Sequence, residues 1–342
     1  MNGALQRFAR RWWAGEAGLL GSTLSVVLRP LSWCWLAVTW FRNRRFDRGS
    51  TTQVDGLSVV SIGNLAVGGT GKTPIASWVT GVLLETGAAP ALLLGSSATD
   101  EALLHERWTP SAPVFVGRRR VASAVLARTR GAGVAVMDDG FQYRELARDC
   151  DIVLLAVEDP FPASVLPCGP HREARGALRR ADAVILTRRS ATLDRARQRA
   201  DQLSRSSGVP ADIAKACVHF VSAGFRPLAG DRQFSGLDDA LVLTAIARPR
   251  GFLRDVAVLC RGSAELLAYR DHHPFSEHDA RTARLRAGRR PIVVTEKDAV
   301  KLVPVKELLG EVWIMEQEVT WDWGEEVVRG LVTAVARRQS PI

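Results

Sequence analysis

VVSIGNLAVGGTGKTPIASW, Val59 to Trp78, decides how this chain folds. It opens on an apolar, β-branched run (Val59, Val60, Ile62), which has the composition of a buried strand. A glycine-rich turn follows, then Ile75, Trp78, Val79, Val82 and Leu83 at helical spacing. Strand, glycine turn and helix, in that order, are what a phosphate-binding loop requires. Glycines let the backbone curl until successive N–H groups point at one anion. The start of the helix adds its positive dipole end. On this reading Gly68, Gly69, Thr70 and Gly71 form the cradle, Lys72 reaches the β- and γ-phosphates, and Thr73 offers a hydroxyl to Mg2+. The strict pattern asks for a glycine where Ala66 stands, and the nearest one upstream is Gly63. A nucleoside triphosphate is implied; what receives its phosphate is not.

Working outward, residues 46–222 alternate apolar runs with helical patterns, the signature of a parallel α/β sheet. Strands are expected at Leu57–Ile62, Ala91–Leu94, Val114–Val116, Val134–Met137, Ile152–Ala156, Ala183–Thr187 and Val218–Ser222. Helices are expected at Pro74–Glu85, Arg119–Arg130 and Leu193–Ser204. The Val134–Met137 run feeds directly into Asp138-Asp139-Gly140. Acids at the C-terminal end of a strand, downstream of a glycine loop, are placed to hold Mg2+. Alone, Asp-Asp-Gly is as readily a turn. Residues 223–342 read as a smaller C-terminal α/β domain, with strands at Leu241–Ala245 and Ile292–Thr295 and helices at Phe252–Leu259 and Trp323–Arg338.

Residues 1–45 differ from the rest. Leu19–Phe41 is rich in Leu, Val and Trp, and Arg29-Pro30 is expected to interrupt it. The remaining run, Leu31–Phe41, is too short to span a bilayer, which takes about 20 residues. Arg7, Arg10, Arg11, Arg42, Arg44 and Arg45 flank the segment, and Trp12, Trp13, Trp33, Trp35 and Trp40 lie along it. Tryptophan and arginine beside a short apolar helix suit the membrane interface, although a buried helix pair would show similar apolarity.

Composition narrows the classes further. The chain of 342 residues has 46% hydrophobic and 24% charged residues, as a folded protein does. Its formal net charge of +10 is carried mostly by arginine, since Lys72, Lys215, Lys297, Lys301 and Lys306 are the only lysines. Such a balance suits anionic partners. No aromatic–basic RNA-binding signature and no zinc spacing is found, so nucleic acid is not expected as a partner. The five cysteines are scattered, with no C-x-x-C pair, which reads as reduced thiols.

Six blocks, in order, resemble the tetraacyldisaccharide 4'-kinase family, which acts in lipid A synthesis. They are Ser61–Pro74; Asp138-Asp-Gly-Phe-Gln142 with Leu146–Asp149; Leu166–Glu173 with Arg180–Arg188; Ala245–Pro249; Asp271-His272-His273; and Thr295–Val300. The resemblance covers residues 20–302. It implies transfer of the γ-phosphate of ATP, with Mg2+, to the 4'-hydroxyl of an acylated disaccharide 1-phosphate. It also implies a peripheral or monotopic enzyme on the cytoplasmic face of the inner membrane, where that lipid is met in two dimensions. Carried over position by position, Lys72 and Thr73 act as above, and Asp138 and Asp139 organise Mg2+ with help from Glu173. Asp100 and His272 become the pair that activates the attacking hydroxyl, assembled by domain closure. The oligomeric state is left open.

This chain departs from the family pattern at four places. Gly95–Asp100 replaces a long family loop, Ala66 replaces a small hydroxyl residue, Tyr143 replaces a histidine, and Thr99 replaces a glycine. Those changes leave two alternatives: a divergent low-activity or inactive paralogue acting as a membrane-associated nucleotide-binding protein, or a P-loop kinase for another membrane glycolipid.

Overall fold

The computed structural model describes residues 8–9, 11–161, 163–230, 234 and 236–338. Arg7 and Arg10, which flank the N-terminal segment in sequence, lie outside them. The fold is α/β: a mixed, mainly parallel sheet flanked by helices, preceded by a long apolar helix. The chain divides into two compact units, Met1–Phe220 with Val319–Ile342, and Val221–Glu318.

In the first unit the strands are β1 (Ser58–Asn64), β2 (Pro90–Leu94), β3 (Val114–Val116), β4 (Val134–Asp138), β5 (Cys150–Ala156), β6 (Ala183–Arg188) and β7 (Ala214–Pro227), the last of which passes into the second unit at Val221. Their order in the sheet is β3-β2-β4-β1-β5-β6-β7. The chain moves outward from β1 to β2 and β3 on one side, then crosses to β5 and β6 on the other. The loop after β1 therefore lies at the switch point, where α/β sheets bind their ligands. Register fixes the acids beside it: Ile62 of β1 is paired with Asp138 of β4.

Both faces of this sheet are covered, which is why its central strands are apolar throughout rather than alternating. Helix α1 (Gly18–Asp47) precedes the sheet, and α2 (Lys72–Glu85), α3 (Thr99–Trp108), α4 (Arg120–Thr129) and α5 (Leu193–Ser204) follow in turn. On one face Ile75, Val79 and Leu83 of α2 pack against Val60, Ile62, Val134 and Val136. Each such fully buried side chain contributes about 1.5–3 kcal/mol. On the other face Ala196 and Leu203 of α5 cover Val153, Val184 and Leu186.

The second unit contains β8 (Ala240–Thr244), α6 (Pro249–Leu259), β9 (Ala264–Ala268), α7 (Glu277–Ala287), β10 (Ile292–Thr295) and α8 (Glu296–Leu302). Strand β11 (Val312–Trp323) begins there, next to β10. Along β8 the side chains alternate: Leu241 and Leu243 join the cluster around Phe275 and Ala283, while Ala240 and Val242 join the one around Phe252 and Val256. Buried Asp298 is held by the Thr244 hydroxyl at 2.6 Å, the Thr295 hydroxyl at 2.8 Å and Lys301 Nζ at 2.9 Å.

Two features differ from the sequence-based expectation. First, the end of the chain returns to the first unit at Val319, whereas the sequence reading groups 223–342 together. The predicted helix from Trp323 is β11 up to that residue; α9 (Glu325–Arg337) starts after Gly324, which has φ 79° and serves as its N-cap. Val328 and Val332 of α9 then pack with Val79 and Val82 of α2, and Arg329 bonds Glu85 at 2.7 Å. Second, Arg29-Pro30 does not interrupt the N-terminal helix. Pro30 lies within α1, a single helix of 30 residues that is long and apolar enough, by length and composition alone, to cross a membrane. A proline inside a helix costs about 3 kcal/mol. Contacts to the body of the first unit offset it: Ser32 Oγ to the Val165 carbonyl, Trp35 Nε1 to the Arg172 carbonyl at 2.8 Å, and Asn43 Nδ2 to Glu173 at 2.7 Å. The opposite face of α1 leaves Leu19, Val27, Leu31, Trp33, Val38 and Phe41 exposed.

Candidate active site

Strand β1 ends in the loop Leu65–Gly71, and α2 begins at Lys72. Gly71 adopts φ 85° directly over Phe220, whose ring leaves no room for a Cβ. Only glycine satisfies both constraints. Gly68, at φ 132°, and Gly69 face open space instead. Asn64 Nδ2 donates to Thr70 Oγ1 at 3.0 Å, tying the turn back to the end of β1. From the other side, the Val67 N–H donates to the Pro170 carbonyl at 2.8 Å, and the Arg172 N–H to the Leu65 carbonyl at 2.7 Å. No side chain caps the N-terminus of α2, and its first turn carries no acid. Its leading N–H groups are thus left for an anion.

The acids at the end of β4 stand beside this turn but have separate surroundings. Asp139 is partly exposed, and its Oδ1 lies 3.4 Å from Lys72 Nζ. Arg172 Nη1 approaches both its carboxylate oxygens at 3.1 Å and also reaches Gln142 Oε1 at 3.2 Å. Burial pushes the Asp139 carboxyl up, but Lys72 and Arg172 outweigh it and hold the group below the usual carboxylate range. Asp138 is buried, with Oδ2 3.2 Å from His105 Nε2. Arg120 Nη2 lies 3.4 Å from the backbone carbonyls of both acids.

The other predicted residues each have their own surroundings. Glu173 is buried among Asn43 Nδ2 at 2.7 Å, Arg180 Nη2 at 3.2 Å and Arg42 Nη2 at 3.5 Å, so its carboxylate fastens α1 to the unit. Asp100 is buried in the first turn of α3. His272 belongs to the second unit; its N–H donates to the Ala245 carbonyl at 3.1 Å and its Nε2 lies 3.4 Å from Lys297 Nζ.

Backbone geometry marks two of these positions. Asp139 at φ 57° and His272 at φ 59° are the only non-glycine residues with positive φ among the described ones. Such conformations are uncommon outside glycine and concentrate at functional sites.

The donor set suits a hard cation. The Thr73 hydroxyl and the Asp138 and Asp139 carboxylates offer only oxygen, which is what Mg2+ takes. Open space over Gly68 and Gly69, with Lys72 at its edge, suits the polyphosphate that carries Mg2+. Three residues at this site were not singled out from sequence: Arg172, Arg120 and His105. Arg172 lies inside the Leu166–Glu173 block, next to Glu173, and is legible there as a conspicuous cation. Nothing in the local pattern distinguishes His105 or Arg120 from ordinary helix residues.

Comparison with known proteins adds to this. The sequence model of a family described as Tetraacyldisaccharide-1-P 4'-kinase matches residues 24–94 and 95–336. The two segments abut at the place where the sequence reading finds the family's long loop missing. A tetraacyldisaccharide 4'-kinase of Anaeromyxobacter dehalogenans is 36% identical over 327 residues, covering 86% of this chain and 85% of that protein. One of Chlorobium limicola is 29% identical over 358 residues, covering 92% and 99%. Among solved structures, LpxK of Aquifex aeolicus, crystallised with ATP, superposes with a TM-score of 0.68 at 23% identity, covering 91% of this chain and 99% of that one.

Proposed function

The chain belongs to the tetraacyldisaccharide-1-P 4'-kinase family, and on that premise we propose how its residues carry out the reaction. It is an ATP-dependent kinase that phosphorylates the 4'-hydroxyl of the tetraacyldisaccharide 1-phosphate precursor of lipid A, with ATP and Mg2+ as cofactors. The observation that carries the mechanism is the placement of Lys72 and Asp139. An ammonium at the start of α2 and a carboxylate at the end of the neighbouring β4 lie 3.4 Å apart, beside an open glycine turn.

In the reaction the 4'-oxygen forms a bond to the γ-phosphorus. The bond from that phosphorus to the β,γ-bridging oxygen breaks, ADP leaves, and the hydroxyl proton passes to a base. The loop N–H groups and Lys72 hold the β- and γ-phosphates and offset the charge that gathers on them. Thr73, Asp138 and Asp139 would hold Mg2+, which when bound neutralises the phosphate oxygens. Arg172, bonded to Asp139, keeps that carboxylate charged and oriented. Arg120 adds positive charge behind the two acids. Asp100, in the first unit, and His272, in the second, are each a candidate acceptor for the proton.

Membrane association follows from α1. One face is fastened to the body by Glu173, Arg172 and Val165, while the opposite face leaves aliphatic and tryptophan side chains in the open. A helix of that kind, rich in arginine at its end, docks in the interface of an anionic leaflet. Residues 42–48 contribute Arg42, Arg44, Arg45 and Arg48. We assign the enzyme to the cytoplasmic face, where ATP is available.

The test is transfer of labelled γ-phosphate from ATP to the purified disaccharide 1-phosphate, with the position of the new phosphate read by 31P NMR. Label at the 4' position supports the reading, and label on water alone contradicts it. Asp100→Asn and His272→Asn, measured singly, decide whether either residue accepts the proton: the variant that loses its pH dependence identifies the base.

A further inference from the structure

His105 is fully buried on α3, and its ring bridges two other elements. Nε2 lies 3.2 Å from Asp138 Oδ2 at the end of β4. Nδ1 lies 2.9 Å from the hydroxyl of Ser77, one helical turn beyond Thr73 on α2. One ring thus links the helix that carries Asp100, the strand that ends at Asp138, and the helix that carries Lys72 and Thr73.

The chemistry of the three groups fits one arrangement. With its proton on Nε2, the imidazole donates to the Asp138 carboxylate and accepts the Ser77 hydroxyl proton at Nδ1. Both ring nitrogens are then used, as a buried polar ring requires. The bond engages Oδ2 and leaves Asp138 Oδ1 as an acceptor for a cation. A buried carboxylate held through one oxygen cannot swing about its own side-chain torsions, so its second oxygen has a fixed direction. Partners that orient a ligating carboxylate in this way tune metal affinity strongly.

We infer that His105 is a positioning residue for the phosphoryl transfer: through Asp138 Oδ2 it fixes the direction in which Asp138 meets the cation of the Mg2+–nucleotide, and Ser77 fixes the ring. The inference rests on the reading of Asp138 as an acid that holds Mg2+. A histidine that merely fills the core would affect thermal stability and leave metal affinity alone.

The experiment compares the full-length enzyme with His105→Leu, His105→Gln, His105→Asn and Asp138→Asn. Mn2+ binding is followed by electron paramagnetic resonance in the presence of a non-hydrolysable ATP analogue. The Mg2+ concentration for half-maximal rate and the melting temperature are measured alongside. His105→Leu is expected to weaken Mn2+ binding about tenfold and to raise the Mg2+ requirement in parallel, with KM for the lipid unchanged. His105→Gln places an amide N–H near the Nε2 position and is expected to recover most of that loss. His105→Asn reaches only toward Ser77 and is expected to recover little. If the leucine variant does not fold, the Gln–Asn contrast carries the test by itself. Wild-type Mn2+ affinity in His105→Leu or in His105→Asn overturns the inference. If Asp138→Asn also binds Mn2+ normally, the reading of Asp138 has failed too; if Asp138→Asn alone weakens binding, only the role of His105 is lost.

Discussion

Arg172 Nη1 lies 3.1 Å from both carboxylate oxygens of Asp139, and the backbone N–H of Arg172 donates to the Leu65 carbonyl in the glycine turn. A single residue therefore holds the turn by its main chain and the acid by its side chain. The arrangement makes the segment Pro170–Arg172 a wall of the site rather than a distant loop.

Removing the guanidinium separates those two roles. Arg172→Gln leaves the backbone bond in place while withdrawing the charge from Asp139. We expect kcat to fall on the order of tenfold or more, with a higher Mg2+ requirement and a nearly unchanged melting temperature. Steady-state kinetics over a Mg2+ titration check this. A variant with wild-type kcat and Mg2+ dependence shows that Arg172 serves only to hold the turn.

His171, the next residue in this wall, gives the protein a pH-dependent weak point. Its ring is buried, and burial pushes its pKa down to about 4 from the usual 6.5. The unfolded chain binds this proton below pH 6.5, and the folded protein binds it only below about 4. Stability is therefore complete above pH 6.5 and is lost as pH falls from there toward 4. The loss from this group amounts to about 2 kcal/mol at pH 5. Chemical denaturation at pH 7.5 and pH 5 measures it, and His171→Asn is expected to flatten the difference. An equally steep fall in the variant assigns the acid sensitivity to other groups.

The exposed face of α1 predicts where membrane affinity resides. Val27 and Leu31 lie one turn apart on it, each more than half exposed. Val27→Glu combined with Leu31→Glu costs roughly 2–3 kcal/mol per residue if that face enters hydrocarbon. Sedimentation with anionic vesicles is expected to drop sharply, while melting temperature and activity on detergent-dispersed substrate hold. Undiminished sedimentation places the docking surface elsewhere.

The sheet was legible because its central strands are buried on both faces and read as apolar runs; Ile292–Thr295 and the short edge strand Val114–Val116 agree to the residue. Strand β11 was missed because the three consecutive polar residues Glu316-Gln317-Glu318 break its pattern between the apolar Val312–Met315 and the alternating Val319–Trp323. Helix α3 was missed because its charged sequence, TDEALLHERW, shows little helical apolar spacing. Pro30 misled because proline's local cost is read from sequence, whereas the contacts that offset it come from residues 165–173, far along the chain. The same distance hid part of the site. Lys72 and Asp139 carry local motifs, whereas His105 acquires its place only when α3 packs beside β4 and α2.

The central claim is that Lys72 and the glycine turn grip the terminal phosphates of ATP. Its most direct test is transfer of γ-labelled phosphate to the tetraacyldisaccharide 1-phosphate by wild-type enzyme and by Lys72→Ala, both checked for native melting. We predict 4'-phosphorylated product from the wild type and a rate reduced roughly a hundredfold to a thousandfold in the variant. Product formed at the wild-type rate by Lys72→Ala would contradict the account.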